Sequence, residues 1–359
     1  MRTRRFPASF DQPRDSVQAI KIVDLFAGPG GLDIAAEKMG LAVTGIEWDD
    51  DACATRRAQG LSTVHEDVRK VDQANFADAN VLTGGPPCQT YTVAGSGAGR
   101  RALDDVLRCA DLMATGKISR SDVAELGDER TALVLEPLRW ALEAIRADRP
   151  YEAIVLEQVR TVLPVWEAVA DVLRQHGYSV VHDVLKAEEY GVPQTRRRAI
   201  LIARLGHEAK LPAPTHRPHY KGVNRDAGDH TRHAWVTMSD VLVDRPKPFT
   251  VISNYGTGGD PKIRGRRRHD EPSATVTGKI DRNRVVGPNG AENRFTHPEA
   301  GMLQTFPSDY KWRGRKIPQQ IGNAIPPVLA AHVLASALDL DRETLATAVK
   351  DLSGGAIKV

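Results

Sequence analysis

Short apolar runs alternate with amphipathic stretches along the first two hundred residues. Apolar runs of four to eight residues bounded by Gly, Pro or charged residues are typical of buried strands, and apolar residues spaced three to four apart are typical of helices. The pattern predicts strands at 20–26, 42–46, 63–67, 79–82, 153–156, 178–185 and 199–203, and helices at 32–39, 133–147 and 165–176. This order indicates an α/β fold with a doubly wound sheet.

The alternation is lost from about 205 to 318, where Pro, His, Arg and Gly are frequent, and a helix is predicted again at 328–338. We therefore expect a flexible leader at 1–20, a large α/β domain formed by 21–204 and 319–359, and a smaller irregular domain with its hinge at 205–318. The segment 95–130 lacks a clear pattern apart from a helix-like piece near 104–113. It is either a lid that touches phosphate or a connecting insertion.

Composition narrows the class of protein. The 359 residues are 41% hydrophobic and 26% charged, as in ordinary globular domains. No run of about 18 apolar residues is present, so we expect no membrane span. The three scattered cysteines have neither Cys-x-x-Cys nor Cys/His spacing, so we expect no disulfide framework and no metal, and a reducing cytoplasm is the simplest location.

A glycine-rich turn follows the first predicted strand. Residues 24–31 read Asp-Leu-Phe-Ala-Gly-Pro-Gly-Gly and precede a helix. The N–H groups and dipole of a helix N-terminus can bind a ligand there, although such turns also merely connect strands to helices. Glu47, about 20 residues further on at a strand tip, lies where doubly wound folds hold a ribose diol. The absence of Gly-x-Gly-x-x-Gly favours S-adenosylmethionine over a dinucleotide.

Three further residues extend the cofactor hypothesis. Phe26 and Trp48 are candidates to flank an adenine ring, with core packing as an equal alternative. Asp67, at the tip of the third strand, could accept a hydrogen bond from the adenine amino group. Ligand residues at successive strand ends fit the rule that open α/β sheets bind ligands at their carboxyl edge.

A cysteine follows the fourth predicted strand in an unusual frame. Residues 83–91 read Thr-Gly-Gly-Pro-Pro-Cys-Gln-Thr-Tyr, so two glycines and two prolines fix the loop before Cys88. Free cysteines are most often small buried hydrophobes, and we keep that interpretation for Cys53 and Cys109. For Cys88 the frame favours a nucleophile.

This cysteine loop resembles the nucleophile loop of the DNA (cytosine-5) methyltransferase family, and other family motifs occur in order from about 21 to 335. The resemblance implies a Rossmann-like methyltransferase large domain, a small target-recognition domain and the cofactor S-adenosylmethionine, with S-adenosylhomocysteine as product. The cofactor-binding positions that it implies are Phe26, Gly28, Pro29, Gly31, Glu47, Trp48, Asp67, Val68, Pro87 and Asn323.

The resemblance also implies a catalytic set. Cys88 is the nucleophile, and Glu157, after an apolar run, contacts the ring nitrogen and amine of the target cytosine. Gln-x-Arg-x-Arg at 194–198 supplies Arg196 and Arg198 for the flipped base and its phosphates, with Arg198 preferred at the ring. Family members carry Asn where this chain has Gln158, a departure that affects the local packing.

The remaining predicted contacts are with DNA. From 262 to 284 the chain has eight Lys or Arg against three Asp or Glu, either a solvated face or a phosphate-binding surface. The predicted DNA-binding residues are Gln89, Arg100, Arg101, Arg264, Arg266, Arg267 and Arg268. Residues that read bases are expected between about 205 and 262 or in the basic run, and the spacing identifies none of them.

Together these features predict a sequence-specific DNA cytosine-5 methyltransferase acting in restriction–modification or in phage or host DNA protection. It would flip the target cytosine, add Cys88 to C6 and methylate C5. Double-stranded DNA is the expected partner of a monomer in the bacterial cytoplasm or nucleoid, and a cognate restriction endonuclease is a candidate partner. The alternatives are an RNA substrate, a catalytically silent binding protein, and transfer of a group other than methyl.

Overall fold

Seven strands form the central sheet of the computed structural model, which describes residues 19–87, 97–116, 133–253 and 265–359. The strands are β1 (Lys21–Leu25), β2 (Ala42–Glu47), β3 (Thr63–His65), β4 (Val81–Gly84), β5 (Ala153–Val159), β6 (Tyr178–Lys186) and β7 (Arg197–Leu205). In space they are ordered β3-β2-β1-β4-β5-β7-β6, and β7 is antiparallel to both of its neighbours. The other neighbouring pairs are parallel.

Helices cover both faces of this sheet, so its central strands are apolar on both sides. Consecutive residues of β1 point to opposite faces of the sheet and pack into two separate cores, Ile22 into one and Val23 into the other. One core contains α1 (Gly31–Lys38), α9 (Pro327–Leu338) and α10 (Arg342–Ser353), and the other contains α3 (Gly97–Ala114), α4 (Glu136–Arg146) and α5 (Leu163–Gln175). The predicted doubly wound α/β class is confirmed.

The region that lacks sequence periodicity contains a second, antiparallel sheet. Its strands β8 (Thr250–Ile252), β9 (Arg266–Arg268), β10 (Arg284–Val286) and β11 (Glu292–Asn293) are only two or three residues long. Such strands are too short to show a period of two, which explains why the sequence did not predict them. The remaining helices are α2 (Asp50–Gln59), α6 (Met238–Val241), α7 (His297–Leu303) and α8 (Ile317–Asn323).

The C-terminal helices return to the first half of the chain, where α9 packs against α1 and α10. Among the described residues, the helical segment Ile317–Leu338, which comprises α8 and α9, is long and apolar enough by length and composition to cross a membrane. However, 78% of its most apolar window is buried inside the protein. We therefore interpret this segment as part of the buried core that packs on the central sheet.

Candidate active site

The glycine turn after β1 brings the start of α1 to the carboxyl edge of the sheet. Phe26 and Gly28 adopt left-handed backbone conformations, with φ of 59° and 56°. A Cβ on Gly28 would meet no described atom within 4 Å, whereas one on Gly31 would overlap the carbonyl oxygen of Ile325. Gly31 is therefore required for packing against the C-terminal segment, and Gly28 faces open space where a ligand can approach.

Glu47 lies beneath this turn. Its Oε2 accepts a hydrogen bond from the Gly28 N–H at 2.7 Å, and its Oε1 accepts from the N–H groups of Trp48 and Asp49 at 2.8 Å each. Burial raises the pKa of Glu47, and these three N–H groups oppose that rise. The indole of Trp48 beside it is 67% exposed, so the core-packing alternative for Trp48 does not hold.

The turn, the buried carboxylate and the exposed indole fit an adenosyl ligand, because they offer open space, a polar anchor and an aromatic face at one sheet edge. Asp67 and Val68 follow β3 at the same edge. The Asp67 carboxylate is bound by the Arg69 guanidinium at 2.5 Å, and this hydrogen bond lowers the pKa of Asp67. Val68 is buried, whereas Asn323, the last residue of α8, is exposed.

The loop after β4 is attached to β5 by a side chain whose role the sequence did not predict. Gln158 donates from Nε2 to the Pro86 carbonyl at 2.5 Å, while its Oε1 accepts from the Val159 N–H at 2.5 Å. Gly85 donates its N–H to the Leu25 carbonyl at 3.2 Å. The loop is thus held at Gly85 and Pro86, and the predicted Cys88 and Gln89 lie outside the described residues.

Glu157 lies within β5, next to this loop. A Cβ on Gly85 would be 3.8 Å from Glu157 Oε2. The carboxylate forms an ion pair with Arg198, with Nε and Oε1 2.7 Å apart, and both side chains are 11% exposed. The ion pair is not aligned as a hydrogen bond, and Oε1 has no hydrogen-bond donor among the described residues. The guanidinium compensates the buried charge, and the hydrogen-bonding capacity of Oε1 is left open to a donor from a ligand.

The three consecutive arginines have three different environments. Arg198 pairs with Glu157, and Arg197 donates to Glu188 at 2.7 Å. Arg196 is fully buried and donates to the main-chain carbonyls of Val276, Gly322 and Ala324 at 2.8–3.1 Å.

The position of Arg196 differs from the one that the motif implied. A fully buried guanidinium that binds the protein's own carbonyls is not available to a base or a phosphate. Gly322 and Ala324 lie at the C-terminal end of α8, where unsatisfied carbonyls favour a cation. We therefore correct this prediction, and assign Arg196 to the packing between β7, the 276 segment and α8.

The predicted basic surface is only partly described. Arg264 lies outside the described residues, as do the side chains of Arg100 and Arg101, whose backbone belongs to α3. In β9, Arg268 pairs with Asp270 at 2.6 Å, and Arg267 lies 3.7 Å from Glu271. Arg266 is exposed.

A buried acid beneath the turn also has a role that the sequence did not predict. Asp24 is fully buried and accepts a hydrogen bond from the Thr83 hydroxyl at 2.6 Å, so it links β1 to β4. Burial, reinforced by the nearby Asp33, raises the pKa of Asp24 to about 8. A polar residue within an apolar strand run was the only signal for it in the sequence.

Comparison with known proteins identifies relatives of this arrangement. The chain is 28% identical to the type II methyltransferase M1.HphI of Haemophilus parahaemolyticus, over 90% of this chain and 88% of that protein. It is 27% identical to M.BbvI of Brevibacillus brevis, over 88% and 90%. The Entamoeba histolytica methyltransferase EhMeth superimposes with a TM-score of 0.58 at 13% identity, covering 89% of this chain and 98% of that one.

A second solved structure, the Dnmt2 methyltransferase of S. pombe, gives a TM-score of 0.57 at 16% identity over 89% of this chain and 98% of that one. At these identities the two structures establish the fold alone. The model of the C-5 cytosine-specific DNA methylase family matches residues 20–107 and 125–338, which is most of the chain. The resemblance drawn from the motifs is thereby confirmed: this chain belongs to the C-5 cytosine-specific DNA methylase family, whose members methylate C5 of cytosine in DNA.

Proposed function

We propose that this enzyme methylates cytosine within one short sequence of double-stranded DNA, by covalent catalysis at Cys88, as part of a restriction–modification or DNA-protection system. The observation that carries the proposal is the buried Glu157, whose Oε1 lacks a hydrogen-bond donor among the described residues beside the loop that leads to Cys88. This oxygen can accept a hydrogen bond from the amine of a cytosine that enters the site from outside the protein.

The chemistry requires the cytosine to leave the base stack, because neighbouring bases cover C5 and C6 in a duplex. The Cys88 thiolate forms a bond to C6, and the electron pair of the C5–C6 double bond becomes available at C5. The Glu157 carboxylate accepts a hydrogen bond from the exocyclic amine of the cytosine, and a proton held between the carboxylate and N3 neutralises the negative charge that develops in the ring when the thiolate adds. After methylation, loss of the C5 proton expels the thiolate and restores the double bond.

Arg198 supports Glu157 in this scheme. Its guanidinium neutralises the carboxylate and, as a planar donor, can also contact the carbonyl oxygen of the cytosine. Gln158 positions the loop before Cys88 through Pro86. Glu157 and Arg198 therefore orient the base, and Gln158 orients the loop before Cys88. Because these side chains are buried, the low local dielectric strengthens the ion pair and the hydrogen bond to Pro86.

The methyl donor is S-adenosylmethionine, as in the methylase family, and when bound it supplies an electrophilic methyl group. We propose that Glu47 and Trp48 hold its adenosine, with the glycine turn beneath and Asp67 and Val68 beside it. Pro87 and Asn323 complete the predicted set. Isothermal titration with S-adenosylhomocysteine tests this assignment: Glu47→Gln should bind at least tenfold more weakly, and Glu167→Gln, on the exposed surface of α5, should bind as the wild type does.

The experiment that tests the function is nucleoside mass spectrometry on duplex DNA incubated with enzyme and S-adenosylmethionine, followed by sequencing of the modified positions. We expect 5-methylcytosine in one sequence context. RNA of the same sequence serves as the competitor, and methylation of RNA alone would refute the proposal.

The nucleophile is tested with a duplex that contains 5-fluorocytosine at the methylated position. Fluorine at C5 cannot leave as a proton does, so a covalent complex should accumulate with the wild-type enzyme. Cys88→Ser should form no complex and retain binding of S-adenosylhomocysteine. Cys109→Ser, which changes a buried cysteine of α3, is the matched control and should form the complex.

A further inference from the structure

The small region around β8–β11 contains a long segment, 206–237, that has neither helix nor strand and is nevertheless tightly fixed. Arg217 is buried, and its guanidinium donates to the carbonyls of Asp229, Arg232 and Arg225 at 2.8–3.2 Å. Arg225 in turn donates to the Trp235 carbonyl at 3.1 Å and to Asp240 at 2.7 Å. Two arginine side chains thus bind main-chain carbonyls of a segment whose own backbone pairing includes an isolated bridge between His216 and His233.

This rigid segment presents a tight turn to solvent. The Val223 N–H donates to the Tyr220 carbonyl at 3.1 Å, and Gly222 supplies the left-handed conformation with φ of 82°. Tyr220 is 56% exposed and Val223 46% exposed, and they are two of four large exposed hydrophobic side chains in the described part of the chain. Lys221 lies between them and is also exposed. We call 220–223 the tip turn.

The tip turn is attached to the basic strand β9. His219, whose side chain is only 5% exposed, packs edge-on against Trp235 with ring centroids 5.2 Å apart. Its Nδ1 lies 3.5 Å from Arg267 Nη1, and its Nε2 lies 3.7 Å from Glu271. An aromatic turn is therefore held beside a strand of three consecutive arginines.

The tip turn is also within reach of the active site. The backbone runs from Arg267 to Ser273, whose carbonyl accepts from the Thr195 N–H at 2.9 Å, three residues before Arg198. The residues from Arg267 to Ser273 span at most about 20 Å of extended chain, and those from Thr195 to Arg198 at most about 10 Å more. At 3.4 Å per base pair along a strand, the two spans together correspond to at most about nine base pairs, the scale of a short recognition site.

From this geometry we propose that the tip turn reads the DNA sequence next to the target cytosine, with Tyr220 and Val223 on base edges and Lys221 on a phosphate. The inference rests on the proposed function, since it names residues that would select the methylated site. Apolar side chains contact thymine methyl groups or wedge between base steps, whereas a lysine contributes sequence-independent affinity. A rigid turn suits this use because little ordering entropy is lost on binding.

The test begins with wild-type enzyme and a random-sequence duplex library, in which sequencing of 5-methylcytosine defines the preferred site. Affinities are then measured for a duplex with that site and for a scrambled duplex, with S-adenosylhomocysteine present. For the double variant Tyr220→Ala, Val223→Ala we expect the preference for the site to fall at least tenfold, while affinity for the scrambled duplex changes less than twofold.

Two further variants separate base reading from general effects. Lys221→Ala should weaken binding to both duplexes equally and reduce the slope of log K against log salt by about one. Val243→Ala, at a hydrophobic side chain that is 65% exposed elsewhere in the small region, should leave both affinities unchanged. All four positions are exposed, so the thermal midpoints of the three variants should match the wild type.

The outcomes distinguish the two proposals. If the double variant keeps the wild-type site preference while the wild type methylates DNA, the tip turn does not read sequence and the proposed function stands. If Val243→Ala loses as much preference as the double variant, the inference is also overturned. Absence of 5-methylcytosine with the wild-type enzyme would refute the proposed function, and the inference with it.

Discussion

Gln158 connects the strand of Glu157 to the loop before Cys88, and replacing it with Glu should slow the chemistry. The change preserves the shape of the side chain and places an oxygen where Nε2 now donates to the Pro86 carbonyl. Pro86 is buried, so water does not readily replace the lost donor. An unsatisfied buried acceptor costs about 1–3 kcal/mol.

If this cost raises the activation free energy for the addition of Cys88 to C6, the rate of addition falls by roughly 5- to 150-fold, since each 1.36 kcal/mol is a factor of ten. The measurement is single-turnover methyl transfer with DNA and S-adenosylmethionine both saturating. Binding of S-adenosylhomocysteine should stay within twofold of the wild type, because Gln158 contacts the Pro86 loop and not the glycine turn.

Two controls make the result specific. Gln158→Asn retains the amide but is shorter by one methylene, so we expect a smaller loss than with Glu. Gln175→Glu makes the same chemical change at the exposed end of α5 and should have no effect. A wild-type single-turnover rate in Gln158→Glu would refute the positioning role.

The remaining predictions concern the site and its support. Glu157→Gln should lower the single-turnover rate by about 10²- to 10⁴-fold, and an unchanged rate would exclude Glu157 from the chemistry. Because burial raises the pKa of Asp24 to about 8 from 3.8, the folded state retains a proton that the unfolded chain releases, so stability should fall as the pH rises from about 4 to about 8. Asp24→Asn should flatten that decline in urea unfolding at pH 6 and pH 8, and an equally steep decline would contradict the assignment. A methyl group at Gly322 would overlap the backbone of 277–278, so Gly322→Ala should destabilise the protein by about 1–3 kcal/mol. Gly287→Ala, which makes only an ordinary contact at 3.6 Å, should leave the thermal midpoint unchanged.

The strand that bears Glu157 shows why its surroundings were only partly predicted. The apolar run ends at Leu156, and the sequence therefore predicted Glu157 at a strand tip. In the structure β5 continues to Val159, because antiparallel pairing with β7 places Val159 opposite Arg198. That register brings the side chains of Glu157 and Arg198 to the same face of the sheet, which no local pattern reveals.

The surroundings of Asp67 and Arg196 were likewise not predictable from local patterns. Asp67 was predicted as an acceptor for the adenine amino group, and the structure adds a guanidinium, that of Arg69 two residues further on, which binds the same carboxylate. The spacing Gln-x-Arg-x-Arg predicted two arginines at the substrate, but Arg196 instead binds Gly322, which is 126 positions away in the chain. A motif specifies which residue types are present, and only packing decides which of them remain exposed to a ligand.

The sequence by itself determined the α/β class, the order along the chain of the seven strands of the central sheet, the glycine turn and the family, because these depend on local periodicity, backbone freedom and short motifs. The tertiary structure decided which polar groups meet: Glu157 with Arg198, Asp24 with Thr83, and Gln158 with the carbonyl of Pro86. The partners in these contacts are 41 to 72 positions apart in the chain, and sheet register and helix packing bring them together. Local preference determines the elements, whereas the burial of a polar group depends on a partner that only the complete fold supplies.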